Sequence, residues 1–68
     1  MKITVTMAAK IMNKGPQFVR IGVQRNLLPF GIAMKQKGSS RFDYFINPNQ
    51  LAEYLGISLD ELKRRCAT

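Results

Sequence analysis

The chain has no histidine and no tryptophan, and its one cysteine, Cys66, lies beside the C-terminus. A lone cysteine excludes an internal disulfide and fits a reducing, intracellular setting. Without histidine, and with only four scattered acids, the sequence offers no metal-ligand cluster and no nucleophile–base pair. It has no glycine-rich phosphate loop either. Catalysis, a metal and a cofactor are therefore not expected. No stretch free of charge is longer than Asn26 to Met34, which falls far short of the roughly 20 apolar residues a membrane span needs. The start, Met1-Lys2-Ile3-Thr4-Val5, carries no long apolar run, so neither a signal peptide nor a membrane partner is expected. A cytoplasmic protein, complete as given, is the expectation.

Acidic residues are missing from the whole first part of the chain. Lys2, Lys10, Lys14, Arg20, Arg25, Lys35, Lys37 and Arg41 all precede the first acid, Asp43. The net charge is +7 over 68 residues. Such an imbalance points to a polyanion, because neutralising phosphates releases counterions and supplies most of the non-specific affinity. A chain of this length is one domain and buries only about 60% of its unfolded surface.

What is present reads as a succession of short, well-punctuated elements. Lys2-Ile3 is a short extended start. Thr4 suits a helix N-cap, and Ala8, Ala9, Ile11 and Met12 form an apolar stripe opposite Lys10, so a helix is predicted over Val5 to Met12. Asn13 tolerates the left-handed conformation that ends it. Gly15 then caps a second helix, with Pro16 at its first position, running to about Arg25. Val19 and Val23 face inward, flanked by Phe18 or Gly22. Asn26 and Pro29 stop the helix. Gly22 in mid-helix costs about 1 kcal/mol against alanine, which implies a close approach by the first helix or by a bound backbone.

Phe30 to Lys35 and Arg41 to Ile46 are predicted strands joined by Gln36-Lys37-Gly38-Ser39-Ser40. Phe30, Ile32 and Met34 alternate on one face. Phe42, Tyr44 and Ile46 do so on the partner, with Phe42 and Tyr44 assigned to the core. Phe45 falls on the other face. Asn47-Pro48 starts a third helix, with Gln50 placed to reach back and Leu51, Tyr54 and Leu55 as its apolar face, until Gly56 stops it. Ser58-Leu59-Asp60-Glu61 is a capping box for a last helix that ends in Lys63, Arg64 and Arg65. With Leu59 and Leu62 as its main apolar residues, that helix is expected to dock loosely or fray. Residues 1–56 are thus read as the working domain and 57–68 as a short basic helix or tail.

The order helix, turn, helix, hairpin, helix is that of a small α+β winged helix-turn-helix, whose second helix enters a DNA major groove. Gln17, Arg20, Ile21 and Gln24 occupy the outward arc of that helix, with Arg25 at its end. Arg20 suits a guanine edge or a phosphate, and the two glutamines suit adenine edges or backbone oxygens. Ile21 suits a thymine methyl or a neighbouring subunit. Lys35, Lys37, Ser39, Ser40 and Arg41 would make the wing a phosphate or minor-groove contact, and Lys14 a DNA-backbone contact. The plainer alternative is a solvated polar helix face and a turn kept soluble by lysines.

Thr4-Val5-x-x-Ala8-Ala9-x-x-Met12, then Gly15-Pro16-Gln17-Phe18-Val19-Arg20 and Leu27-Leu28-Pro29, resembles the MerR-type winged helix of excisionases. More closely it is similar to small DNA-binding proteins of Gram-positive phages and integrative elements. Tyr44-Phe45-Ile46-Asn47-Pro48 followed by Leu51-x-x-Tyr54-Leu55 fits the same pattern. The likeness covers about residues 2 to 56. It implies a double-stranded DNA-binding protein that directs an integrase towards excision by bending DNA, with integrase and neighbouring copies as candidate partners. A phage transcriptional regulator, a terminase DNA-recognition subunit and an inhibitor of a host protein are the alternatives. The chain departs from the pattern at Met7, where an acid is usual, at Asn13 and Asn26, where glycine is usual, and at Gly15, where serine or threonine is usual.

Overall fold

The computed structural model describes residues 2–67. Four helices and a two-stranded antiparallel sheet follow one another as Val5–Met12 (α1), Pro16–Gln24 (α2), Gly31–Lys35 (β1), Phe42–Ile46 (β2), Pro48–Leu55 (α3) and Leu59–Ala67 (α4). This is the α+β, winged-helix-like arrangement that the order of elements predicts. Ile3 adds an isolated antiparallel bridge to Ile46, so the extended start lies beside the end of β2.

Side-chain caps begin three of the helices. The Thr4 hydroxyl accepts from the Met7 N–H at 3.1 Å, the Asn47 carbonyl oxygen from Gln50 N–H at 3.2 Å, and the Ser58 hydroxyl from Glu61 N–H at 3.1 Å. Gly15 has no side chain to cap α2, and Pro16 removes one of the donors that would need capping. Three helices close alike, through a residue in the left-handed region. Asn13 (φ 59°), Asn26 (φ 58°) and Gly56 (φ 71°) occupy it. The N–H after each returns to a carbonyl five residues back: Lys14 to Ala9, Leu27 to Gly22, and Ile57 to Ala52. These are Schellman closures, which satisfy carbonyls a helix end leaves open. Asparagine thus does at residues 13 and 26 what glycine does at 56.

The core gathers Ala8 and Ala9 of α1, Val19 and Val23 of α2, Leu28, Phe30, Ile46, Leu51 and Ala52 of α3, Leu62 of α4, and Ile3. Small residues on α1 let α2 lie close across it. Gly22 owes its place to a third element. A Cβ there would stand 2.5 Å from Leu28 Cδ1 and 2.7 Å from its Cγ. Both Leu27 and Leu28 N–H groups return to the Gly22 carbonyl, so the helix end folds Leu28 onto the glycine. The close approach is that of Leu28, not of the first helix.

Several expectations need correction. The strands are shorter than predicted, beginning at Gly31 and Phe42 instead of Phe30 and Arg41. Pro29 and Phe30 form a turn, which breaks the expected alternation of Phe30 with Ile32 and Met34. Phe30 is wholly buried, edge-on to Tyr54 with ring centroids 5.3 Å apart. Ile32 and Met34 point outward with Phe45, its register partner being Ile32. Phe42 is not a core residue, whereas Tyr44 packs against the core from its edge. Tyr44 is half-buried, and Phe42 is exposed at the rim with its ring tilted against that of Tyr44. On α3 the second inward position belongs to Ala52, and Tyr54 is exposed on one side. α4 is docked, not frayed: Leu62 is 0% exposed in the common core, with Leu59 and Cys66 packed against it. On its outer face Glu61 pairs with Arg64 (2.9 Å) and Arg65 (3.3 Å).

Candidate nucleic-acid interface

α2 presents its functional arc because Val19, Gly22 and Val23 hold the opposite side in the core. Gln17, Ile21 and Gln24 are spaced four and three residues apart, which stacks them in one stripe along the outer face. All three are exposed. Arg20 flanks the stripe on one side and is half-buried. Phe18 flanks it on the other and is exposed, and Arg25 caps the end. Lys14 sits at the helix entry with its Nζ 5.5 Å from the centre of the Phe18 ring, a cation–π distance.

The hairpin is held against α2 by close packing. A Cβ on Gly31 would come within 3.0 Å of both Val23 Cγ2 and Ile46 Cδ1. A side chain there would make Val23 and Ile46 give way by a few tenths of an ångström, so glycine suits the close approach of β1 to α2. A polar tie adds to the packing: the Gln24 side-chain amide donates to the Tyr44 hydroxyl. α2 and the hairpin are therefore one unit, joined at Val23–Gly31 and Gln24–Tyr44. Sequence spacing does not reveal this second pair. It places Gln24 on the outer arc but is silent on which strand residue lies beside it.

The hairpin tip is shaped by local bonds. Gly38 has a φ of 76°, Gln36 N–H donates to the Arg41 carbonyl at 3.1 Å, and the Ser39 hydroxyl accepts from Arg41 N–H at 3.0 Å. Ser39 thus shapes the turn and is half-buried, whereas Lys35, Lys37, Ser40 and Arg41 are exposed. Asp43 is the hairpin's one acid, and its carboxylate accepts from the Gln36 amide at 2.6 Å. Among the described residues, Lys35, Lys37 and Arg41 project from the same hairpin and form no ion pair with Asp43.

Two apolar surfaces frame this unit. One is the outer hairpin face, with Ile32 58%, Met34 67% and Phe45 57% exposed. The other is a groove of about 200 Å³ lined by Phe18, Ile21, Gly22, Leu27 and Leu28. The sequence reading missed Phe18 and Leu27 as members of this surface, although Phe18 stands three residues before Ile21. Burial pushes the Cys66 thiol above its ordinary pKa, far from the arc and the wing in sequence and on the last turn of α4. Among the described residues no group of three or more acidic or cysteine side chains is placed to hold a metal ion, and no helix is long and apolar enough to cross a membrane. No family model, no curated protein and no solved structure matches the chain.

Proposed function

We propose that the protein binds double-stranded DNA sequence-specifically, with α2 in the major groove and the β1–β2 hairpin as a wing on the adjacent backbone. The observation that carries this reading is the joining of α2 to the hairpin through Val23–Gly31 and Gln24–Tyr44. It fixes two cation-bearing elements side by side in a stretch with no acid before Asp43. Arg20 and Gln17 would address base edges. Lys35, Lys37 and Arg41, with Lys14 and Arg25, would address phosphates. Ser40 would add a neutral phosphate contact.

The biological role we propose is that of an excisionase of a phage or integrative element, which bends DNA beside integrase sites. The resemblance in the helix-turn-helix and at the strand-to-helix junction supports it. The outward face of Ile32, Met34 and Phe45 supports a protein contact in the assembled complex, with integrase or with a neighbouring copy. Footprinting on DNA from the protein's own element, with and without its integrase, tests both parts. Protection next to integrase sites is expected. Protection confined to a promoter would replace excision with transcriptional control. A pull-down returning one host protein, with no DNA retention at about 100 mM salt, would overturn the DNA-binding reading.

A further inference from the structure

We infer that Ile21 and the groove beside it read the 5-methyl group of thymine, so that the preferred site is defined in part by methyls and not by hydrogen bonds alone. The inference rests on the DNA-binding reading above and deepens it. The centre of the outward stripe is an apolar residue: Ile21 lies between Gln17 and Gln24, and it is 36% exposed. Its own chain leaves it open. Gly22 and Leu28 close on each other beside it, and with Phe18, Leu27 and Ile21 itself they line an apolar groove. In a major groove the base edges present donors, acceptors and one apolar group, the thymine methyl. An isoleucine at the middle of a groove-facing stripe therefore has one matching partner among the four bases.

The polar neighbours strengthen the case. Gln24 gives one of its two amide N–H donors to Tyr44, which reduces what it offers to an adenine edge. Arg20 stands on the flank. Direct polar readout from this short helix is thus carried by few groups, and an apolar contact at its centre adds discrimination that they leave out. A cytosine, which lacks the methyl at the same ring position, would be rejected there, whereas 5-methylcytosine would restore the apolar contact.

The test uses duplexes recovered from a random-sequence pool by binding to the full chain, then resynthesised with uracil replacing thymine one position at a time. Uracil differs from thymine only in lacking the methyl. One or two positions should weaken binding about three- to tenfold. The Ile21→Ala protein should bind thymine and uracil duplexes alike, and Ile21→Val should keep most of the discrimination. The thymine–uracil comparison on the unaltered protein stands even where a variant folds poorly. Recovered duplexes bound equally well in both forms would overturn the methyl-reading inference while leaving DNA binding intact. Failure to enrich any sequence from the pool would overturn sequence-specific binding, and this inference with it.

Discussion

The Gln24 amide donates to the Tyr44 hydroxyl, tying the last turn of α2 to the middle of β2. The two residues stand 20 positions apart in sequence, and the contact is exposed. An exposed hydrogen bond contributes little to stability, about 0.5–1.5 kcal/mol at most. Its consequence is orientation. Tyr44→Phe should therefore shift the urea midpoint only slightly, yet weaken binding to a selected duplex more than stability accounts for. Equal affinity in fluorescence anisotropy would mean that packing at Val23–Gly31 alone sets the wing.

Gly22→Ala should destabilise the fold in spite of alanine's better helix propensity. The propensity gain is about 1 kcal/mol. Against it, the new methyl would meet the Cγ as well as the Cδ1 of buried Leu28, so the whole side chain must move. Overpacking of this kind costs about 1–3 kcal/mol. Urea unfolding checks the sign, and a net gain in stability would mean that Leu28 repacks freely.

Asn13 and Asn26 both hold the left-handed conformation at Schellman closures. Asn13→Ala should lower stability by about 1 kcal/mol, because a Cβ is unfavourable there and alanine has no side-chain amide to ease it. Asn13→Gly should be neutral or stabilising. If alanine and glycine at residue 13 melt at the same temperature, the turn is not held as described.

Leu62→Ala should cost about 2–5 kcal/mol, the usual range for a buried leucine. In a domain this small that is a large share of total stability. Removal of residues 58–68 should leave a chain with no cooperative thermal transition. Retention of a sharp transition after truncation would return α4 to the status of an appendage.

Much of the fold was legible because its punctuation is chemically strict. Thr4, Asn47 and Ser58 cap, Pro16 and Pro48 open helices, and Asn13, Asn26 and Gly56 close them, each for a local reason. The β-hairpin was legible in place but not in phase. The Pro29–Phe30 turn takes Phe30 out of the pleat, which leaves Ile32 and Met34 outside. Alternation alone cannot reveal that a strand begins one residue late. The docking of α4 was also hidden, since two leucines on a mostly charged helix say nothing about the pocket that receives them. At the candidate site, the outward arc followed from helical spacing, because Val19 and Val23 define the inner side. Its connection to Tyr44 and the place of Leu27 beside it depend on tertiary placement and had no local signal, whereas Phe18 had one in its three-residue spacing from Ile21.

The central claim is that α2 and the hairpin form one DNA-reading surface, with α2 supplying specificity and the wing supplying charge. The most direct measurement is the affinity of Arg20→Ala and Lys37→Ala for a selected duplex and for an unrelated one, across a series of salt concentrations. Arg20→Ala should lose about 1–3 kcal/mol on the selected duplex and far less on the unrelated one. Lys37→Ala should weaken both alike and reduce the salt slope by about 1. If Arg20→Ala binds the selected duplex with unaltered affinity, α2 is not the reader and the account is wrong.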